Sequence, residues 1–90
     1  MRTRVESTVE AVLEWVRKSA APRFPDLDVR ADTLLIDSGV LDSIEILNLV
    51  GFLEERFGIA LPVEEFVPEN FRDPETVARL VLRLAAAKAG

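Results

Sequence analysis

Three runs of apolar residues recur at the spacing of one helix face, each opened by a capping residue. They leave little else from which a regular element could form. In the first, residues 3–20, Val5, Val9, Val12, Leu13 and Val16 fall on one stripe. Thr3 with Glu6 makes a capping box, Pro22 lies just past the end, and Trp15 flanks the stripe at the core edge. In the second, residues 43–57, the stripe is Ile46, Leu49, Val50, Leu53 and Phe57. Asp42 is its N-cap, Glu45 completes a second capping box, and Gly58 is a natural stop. In the third, residues 73–88, Asp73 caps the start and Pro74 suits the first helical position. Val77, Leu80, Val81 and Leu84 form the apolar face, and Arg79, Arg83 and Lys88 lie toward the end where the helix dipole favours cations.

The stretches between these runs are less regular. Residues 59–71 are too apolar for a free loop, while Pro62 and Pro68 forbid a long helix. The sequence predicts a short helical turn near residues 63–66, with Phe66 and Phe71 inserted into the core. Residues 21–41 have no clear period, and a loop of that length in a compact domain tends to be functional. Leu34, Leu35 and Ile36 are expected to pin it to the bundle. No run alternates long enough to propose a strand. The expectation is an all-α fold, a small four-helix bundle of three main helices plus a short third helix, as a single domain over residues 1–90.

Composition removes several function classes. The chain has no Cys, His or Tyr, so Ser-His-Asp and Cys-His nucleophiles are excluded, as are zinc sites built from His and Cys. Nothing marks a carboxylate-only metal site, and none is predicted. The net charge of −5 argues against nucleic acid, whose binding needs basic patches. Residues 32–69 carry −8 and the rest of the chain +3. That stretch is either a solvated acidic surface or a docking face for basic partners. No apolar run is long enough to span a bilayer, and the N-terminus turns amphipathic at once, so a cytoplasmic location is expected.

The informative run is 35–45, where the long loop meets a capped helix. With Asp42 as N-cap, Ser43 is the first helical residue, and its side chain projects outward at the positive end of the dipole. A phosphate placed there gains from that end. By position alone, Ser43 reads as ordinary helix-start chemistry, since serine is common there.

The run Gly39-Val40-Leu41-Asp42-Ser43-Ile44 resembles the Asp-Ser-Leu signature of the acyl carrier protein family. The resemblance continues through Leu53-Glu54-Glu55-Arg56-Phe57-Gly58-Ile59 and Ile59-Ala60-Leu61-Pro62 to Phe71 and an aliphatic last helix, covering roughly residues 5–84. The segment 37–43 looks closest to discrete D-alanyl and aminoacyl carriers. Ile44 stands where Leu is usual. Asn48 stands where many fatty-acid carriers have an acid, which counts against fatty-acid synthase partners. Asp37-Ser38 repeats the dipeptide, but Gly39 follows and no helix begins there.

This resemblance implies a carrier without catalysis of its own, with 4′-phosphopantetheine from coenzyme A attached at Ser43 beside Asp42. It implies three kinds of partner: a phosphopantetheinyl transferase, an adenylating acyl or aminoacyl ligase, and downstream acyl-transferring enzymes. The second helix would be the recognition face, with Ile44, Leu47, Asn48, Gly51, Glu54 and Glu55 outward or at its margin. Gly51 either permits close approach or is simply tolerated, and Phe52 is either a core flank or partly exposed. The chain is expected to be a monomer. Two rival readings come from other classes. An unmodified acidic helical adaptor for a basic protein would explain the charge but leaves the Asp42-Ser43 arrangement to chance. A calcium loop after Asp37 fails, because Gly39 and Leu41 occupy positions that need oxygen ligands.

Overall fold

The computed structural model describes residues 3–89; Met1, Arg2 and Gly90, at the ends of the expected domain, lie outside the described residues. Helix α1 spans Arg4–Ala20, α2 spans Ser43–Phe57 and α3 spans Pro74–Ala89, with two 3-10 turns, Val63–Glu65 and Pro68–Phe71, between α2 and α3. The bundle is all-helical among the described residues, as the periodicity implies. Both capping boxes form, Thr3 with Glu6 on α1 and Asp42 with Glu45 on α2. Gly58 ends α2 at φ +64°, the left-handed region that a side chain would resist, and the Lys88 ammonium from α3 donates to its carbonyl.

Helices α1 and α3 share the most extensive interface, and α2 lies against both. Their stripes meet in one core: Val12 and Val16 from α1, Leu49, Val50 and Leu53 from α2, and Val77, Leu80 and Val81 from α3. Leu13, Ile46, Phe57 and Leu84 pack around it half-buried. Phe52 is a core flank, with its ring stacked on Trp15 at a centroid distance of 6.2 Å.

Two expectations about the connecting segments need correction. The long loop is pinned by Val29, Leu35, Val40 and Leu41, all buried, whereas Leu34 and Ile36 are 43% and 40% exposed. Neighbours along a chain that is not helical point in different directions, so a run of three apolar residues cannot all face one core. Backbone bonds finish the anchoring: Leu35 N–H to Arg72 O at 2.8 Å, Leu41 N–H to Leu35 O at 2.9 Å, and Glu75 N–H to Ala31 O at 3.0 Å. Arg17 and Arg23 add side-chain bonds to Val29 O and Val40 O, both at 2.8 Å.

The expected short third helix is two 3-10 turns rather than one. Pro62 precedes the first and Pro68 opens the second, and a proline inside a longer helix would remove a ladder bond and clash with the preceding turn. Phe71 is buried as expected, but Phe66 is 40% exposed.

Asp73 is the buried anchor of the α3 start. Its Oδ1 accepts the Thr76 N–H at 2.8 Å, and Arg72 lies 3.1 Å from Oδ2. Burial pushes its carboxyl up, but the bonds from Thr76 and Arg72 outweigh that and hold it below the ordinary value. A depressed folded value contributes stability above the unfolded carboxylate range and loses it as pH falls through the folded value. Asp73→Ala is therefore expected to cost about 1–2 kcal/mol at neutral pH by chemical denaturation. The deficit relative to wild type should shrink below pH about 4, where the carboxyl of the unfolded chain begins to protonate, and vanish as pH falls through the lower folded value.

Candidate functional site

The loop end and the start of α2 are tied together by charged groups. Glu45 N–H donates to Asp42 Oδ1 at 2.9 Å, and Asp42 N–H donates to the Glu45 carboxylate at 3.3 Å. That carboxylate also accepts from Ser19 Oγ at 3.0 Å on α1 and from Arg23 at 2.6 Å on the loop. Because Arg23 reaches Val40 O as well, one side chain clamps the loop to the helix start. The result is a fixed platform, and Ser43 is its first helical residue.

Ser43 is exposed, and its hydroxyl makes no hydrogen bond to any described residue. Ser38, the other Asp-Ser serine, is exposed as well but differs in its hydrogen bonds. Its hydroxyl donates to Leu34 O and accepts from Val40 N–H at 3.4 Å, inside the turn that Gly39 closes at φ +78°. A hydroxyl committed to its own turn is a poor nucleophile for an outside reagent; one that projects freely from a capped helix end is available.

Beside Ser43 opens an apolar groove of about 360 Å³. Buried Leu41 and Phe71 close its bottom, Phe66, Val67 and Pro68 line the side formed by the 3-10 segment, and Ile36, Ile46 and Leu47 complete it. Asp42 and Ser43 supply the polar lining. A phosphodiester on Ser43 would meet the positive end of α2, and an arm with apolar parts would meet apolar walls, so these residues fit such a group. Sequence reasoning missed Ile36, Val67 and Pro68 and put Phe66 in the core. The available signal was that large apolar residues of unrelated segments had no place on any helix stripe.

The outward residues of α2 are mostly as expected. Ile44 is 69% exposed and Leu47 58%, and Asn48, Gly51 and Glu55 are also exposed. No heavy atom lies within 4 Å of a Cβ added at Gly51, so that glycine borders open space. Glu54 lies at the margin: it is half-buried, and its Oε2 accepts the Leu61 N–H at 2.9 Å. After Gly58 the chain folds back along the last turn of α2, which brings an orphan amide to this carboxylate. The acidic stretch is thus partly consumed inside the molecule, since Glu45, Glu54 and Glu65 all have internal partners. Among the described residues no group of His, Cys, Asp or Glu side chains could hold a metal ion, and no helix is long and apolar enough to cross a membrane.

Residues 7–81 match the family described as "Phosphopantetheine attachment site". The chain is 33% identical over 82 residues to aminoacyl carrier protein 1 of Bradyrhizobium diazoefficiens, covering 91% of this chain and 82% of that protein. It is 37% identical over 62 residues to the D-alanyl carrier protein of Streptococcus suis, covering 69% of this chain and 78% of that protein. Lincomycin biosynthesis protein LmbN of Streptomyces lincolnensis is 37% identical over 78 residues, but the matched part is 87% of this chain and only 28% of that protein. Matches to carrier proteins across most of the chain leave nothing that favours an unmodified adaptor. The chain belongs to the phosphopantetheine-attachment family of carrier proteins: it is a carrier rather than an enzyme, and its cofactor is covalently attached 4′-phosphopantetheine.

Proposed function

We propose that Ser43 is the attachment residue and that this chain, as one carrier domain over residues 1–90, presents acyl or aminoacyl groups to separate enzymes. The observation that carries the reading is the unbonded Ser43 hydroxyl at the first position of a doubly capped helix, beside an apolar groove. In the loading step the Ser43 oxygen attacks the phosphorus that bears pantetheine in coenzyme A. A new P–O bond forms and the pyrophosphate bond breaks; adenosine 3′,5′-bisphosphate leaves, and the serine proton passes to a base on the transferase. The arm supplies a terminal thiol for thioester formation, which a cysteine-free chain cannot provide itself. This chain's part is to hold Ser43 outward on the platform made by Asp42, Glu45 and Arg23. Tethering then raises the effective concentration of cargo at each partner.

The aminoacyl or D-alanyl class of cargo, and with it a separate adenylating ligase, rests on the names of the relatives above. Downstream acyl-transferring enzymes would take the cargo on. We read the protein as a cytoplasmic monomer. Incubation with coenzyme A, magnesium and a broad-specificity phosphopantetheinyl transferase, followed by intact-protein mass, tests the carrier reading directly. One added phosphopantetheine supports it; an unchanged mass on folded protein with several transferases contradicts it.

Any enzyme that reaches Ser43 must cover its neighbours, so Ile44, Leu47, Asn48, Gly51 and Glu55 form the proposed partner face, joined from across the groove by Phe66. Exposed apolar side chains at the centre of such a contact contribute most of its energy. Leu47→Asp is expected to lower kcat/KM for loading by about ten-fold, equivalent to about 1.4 kcal/mol, with little change in melting temperature. Equal loading rates for this variant and wild type would remove Leu47 from the face.

A further inference from the structure

One wall of the groove has little secondary structure of its own. Between Gly58 and Asp73 the chain forms only the two 3-10 turns, closed by short backbone bonds such as Glu65 N–H to Pro62 O at 2.9 Å and Asn70 N–H to Val67 O at 3.1 Å. Segments with so few bonds open locally at low cost. Phe71 and Ile59 bury the two ends of this wall. Phe66, Val67 and Pro68, which face the groove beside Ser43, lie between those anchors and are not buried.

What holds the middle is one carboxylate. Arg83 Nη1 on α3 reaches Glu65 Oε2 at 2.6 Å, and Nη2 reaches Oε1 at 3.4 Å. Asn70 Nδ2 donates to the same carboxylate at 2.9 Å and to the Glu65 carbonyl at 2.8 Å. Glu65 therefore ties the first 3-10 turn to the second through Asn70 and both to α3 through Arg83. A paired-donor arginine contact with a shared third partner is the kind of exposed ion pair that does hold geometry. The pair also depresses the Glu65 carboxyl below its ordinary value, with the Arg83 bond the main cause and the Asn70 bond next.

We propose that Arg83 and Asn70, acting through Glu65, are positioning residues that keep the 66–68 wall closed and so set how far the arm lies against the protein. This rests on the reading of Ser43 as the attachment residue. None of Glu65, Asn70 and Arg83 lines the groove, so the clasp acts on the arm only through the wall. With the clasp closed, the arm and its thiol have an apolar surface to lie on. With it open, they are left to solvent.

The test compares wild type with Arg83→Met, Arg83→Lys and Glu65→Gln, and with Arg79→Met as control. Among the described residues, Arg79 pairs only with Glu75, one turn away on α3 at 3.1 Å, and forms no ion pair or hydrogen bond with the wall. Two readouts are taken: amide hydrogen exchange over residues 63–71 before loading, and the rate at which the thiol of the loaded protein reacts with a small aromatic disulfide. Arg83→Met and Glu65→Gln are expected to speed both by about three- to five-fold, with Arg83→Lys between them and wild type. Arg79→Met should match wild type in both. Exchange over 63–71 that is the same in Arg83→Met and Arg79→Met would overturn the clasp. Faster exchange with unchanged thiol reactivity would overturn its action on the arm. A failure to load at Ser43 would contradict the attachment reading instead, and the exchange experiment on unloaded protein separates that failure from failure of the clasp.

Discussion

Ser43→Ala is expected to abolish loading by any phosphopantetheinyl transferase, while Ser38→Ala loads at close to the wild-type rate. The two serines share the Asp-Ser dipeptide, so composition cannot separate them; their hydrogen bonds can. Ser38 is bonded to Leu34 O and Val40 N–H within a turn, and the exposed Ser43 hydroxyl at the helix start has no hydrogen bond among the described residues. The loss at Ser43 is of the nucleophile itself, so no residual rate is expected above background. Ser43→Ala should keep its fold, because the α2 cap belongs to Asp42 and Glu45. Circular dichroism on both variants checks that point, and intact mass after equal incubation checks the loading. Loading of Ser43→Ala at a rate near wild type would move the attachment site elsewhere.

Leu49→Ala has the largest expected effect on stability. Leu49 is fully buried at the middle of α2, where the stripes of all three helices meet. Removing its branch leaves a cavity that a packed core fills only in part, at a cost of about 2–5 kcal/mol. A domain of this size has about 5–10 kcal/mol in total, so the variant is left marginal. Its melting temperature should fall by about 10–25 °C. Urea or thermal unfolding measures this, and a drop of only a few degrees would contradict the placement of Leu49 at the centre. Leu47, two residues away and 58% exposed, should show almost none of this loss when mutated.

The contrast between these neighbours shows why much of the fold was legible. Helical period separates Leu49 from Leu47 by 200° of rotation, and the same reading separated the inward stripe of α2 from Ile44 and Asn48. Caps were legible because the capping box is local chemistry: Thr3 with Glu6 and Asp42 with Glu45 need no tertiary information. Segments without a period were not legible in the same way. Whether Leu34 or Leu35 faces the core depends on the turn that carries them, and whether Phe66 is buried depends on how two 3-10 turns are strung between Ile59 and Phe71. Glu54 looked like a surface acid because the amide that binds it, from Leu61, arrives through a chain reversal. The same limit hid the Glu65–Arg83–Asn70 clasp, whose members are brought together only by the fold.

The site was legible in its centre and not in its surroundings. Asp42-Ser43 at a helix start was readable as chemistry and as a family signature. The groove was not, because its lining comes from the loop, α2 and the 3-10 segment together. The clamp of Arg23 on Glu45 was likewise out of reach: twenty-odd residues separate them, and nothing in the sequence marks that pair.

If Ser43 bears the arm, fragmentation of the loaded protein locates it there. The wild-type protein is loaded from coenzyme A, digested, and the modified peptide fragmented to the residue. A single phosphopantetheine on Ser43 is expected, with Ser38, Ser7 and Ser19 unmodified. Phosphopantetheine on Ser38, or on any residue other than Ser43, would contradict the attachment reading.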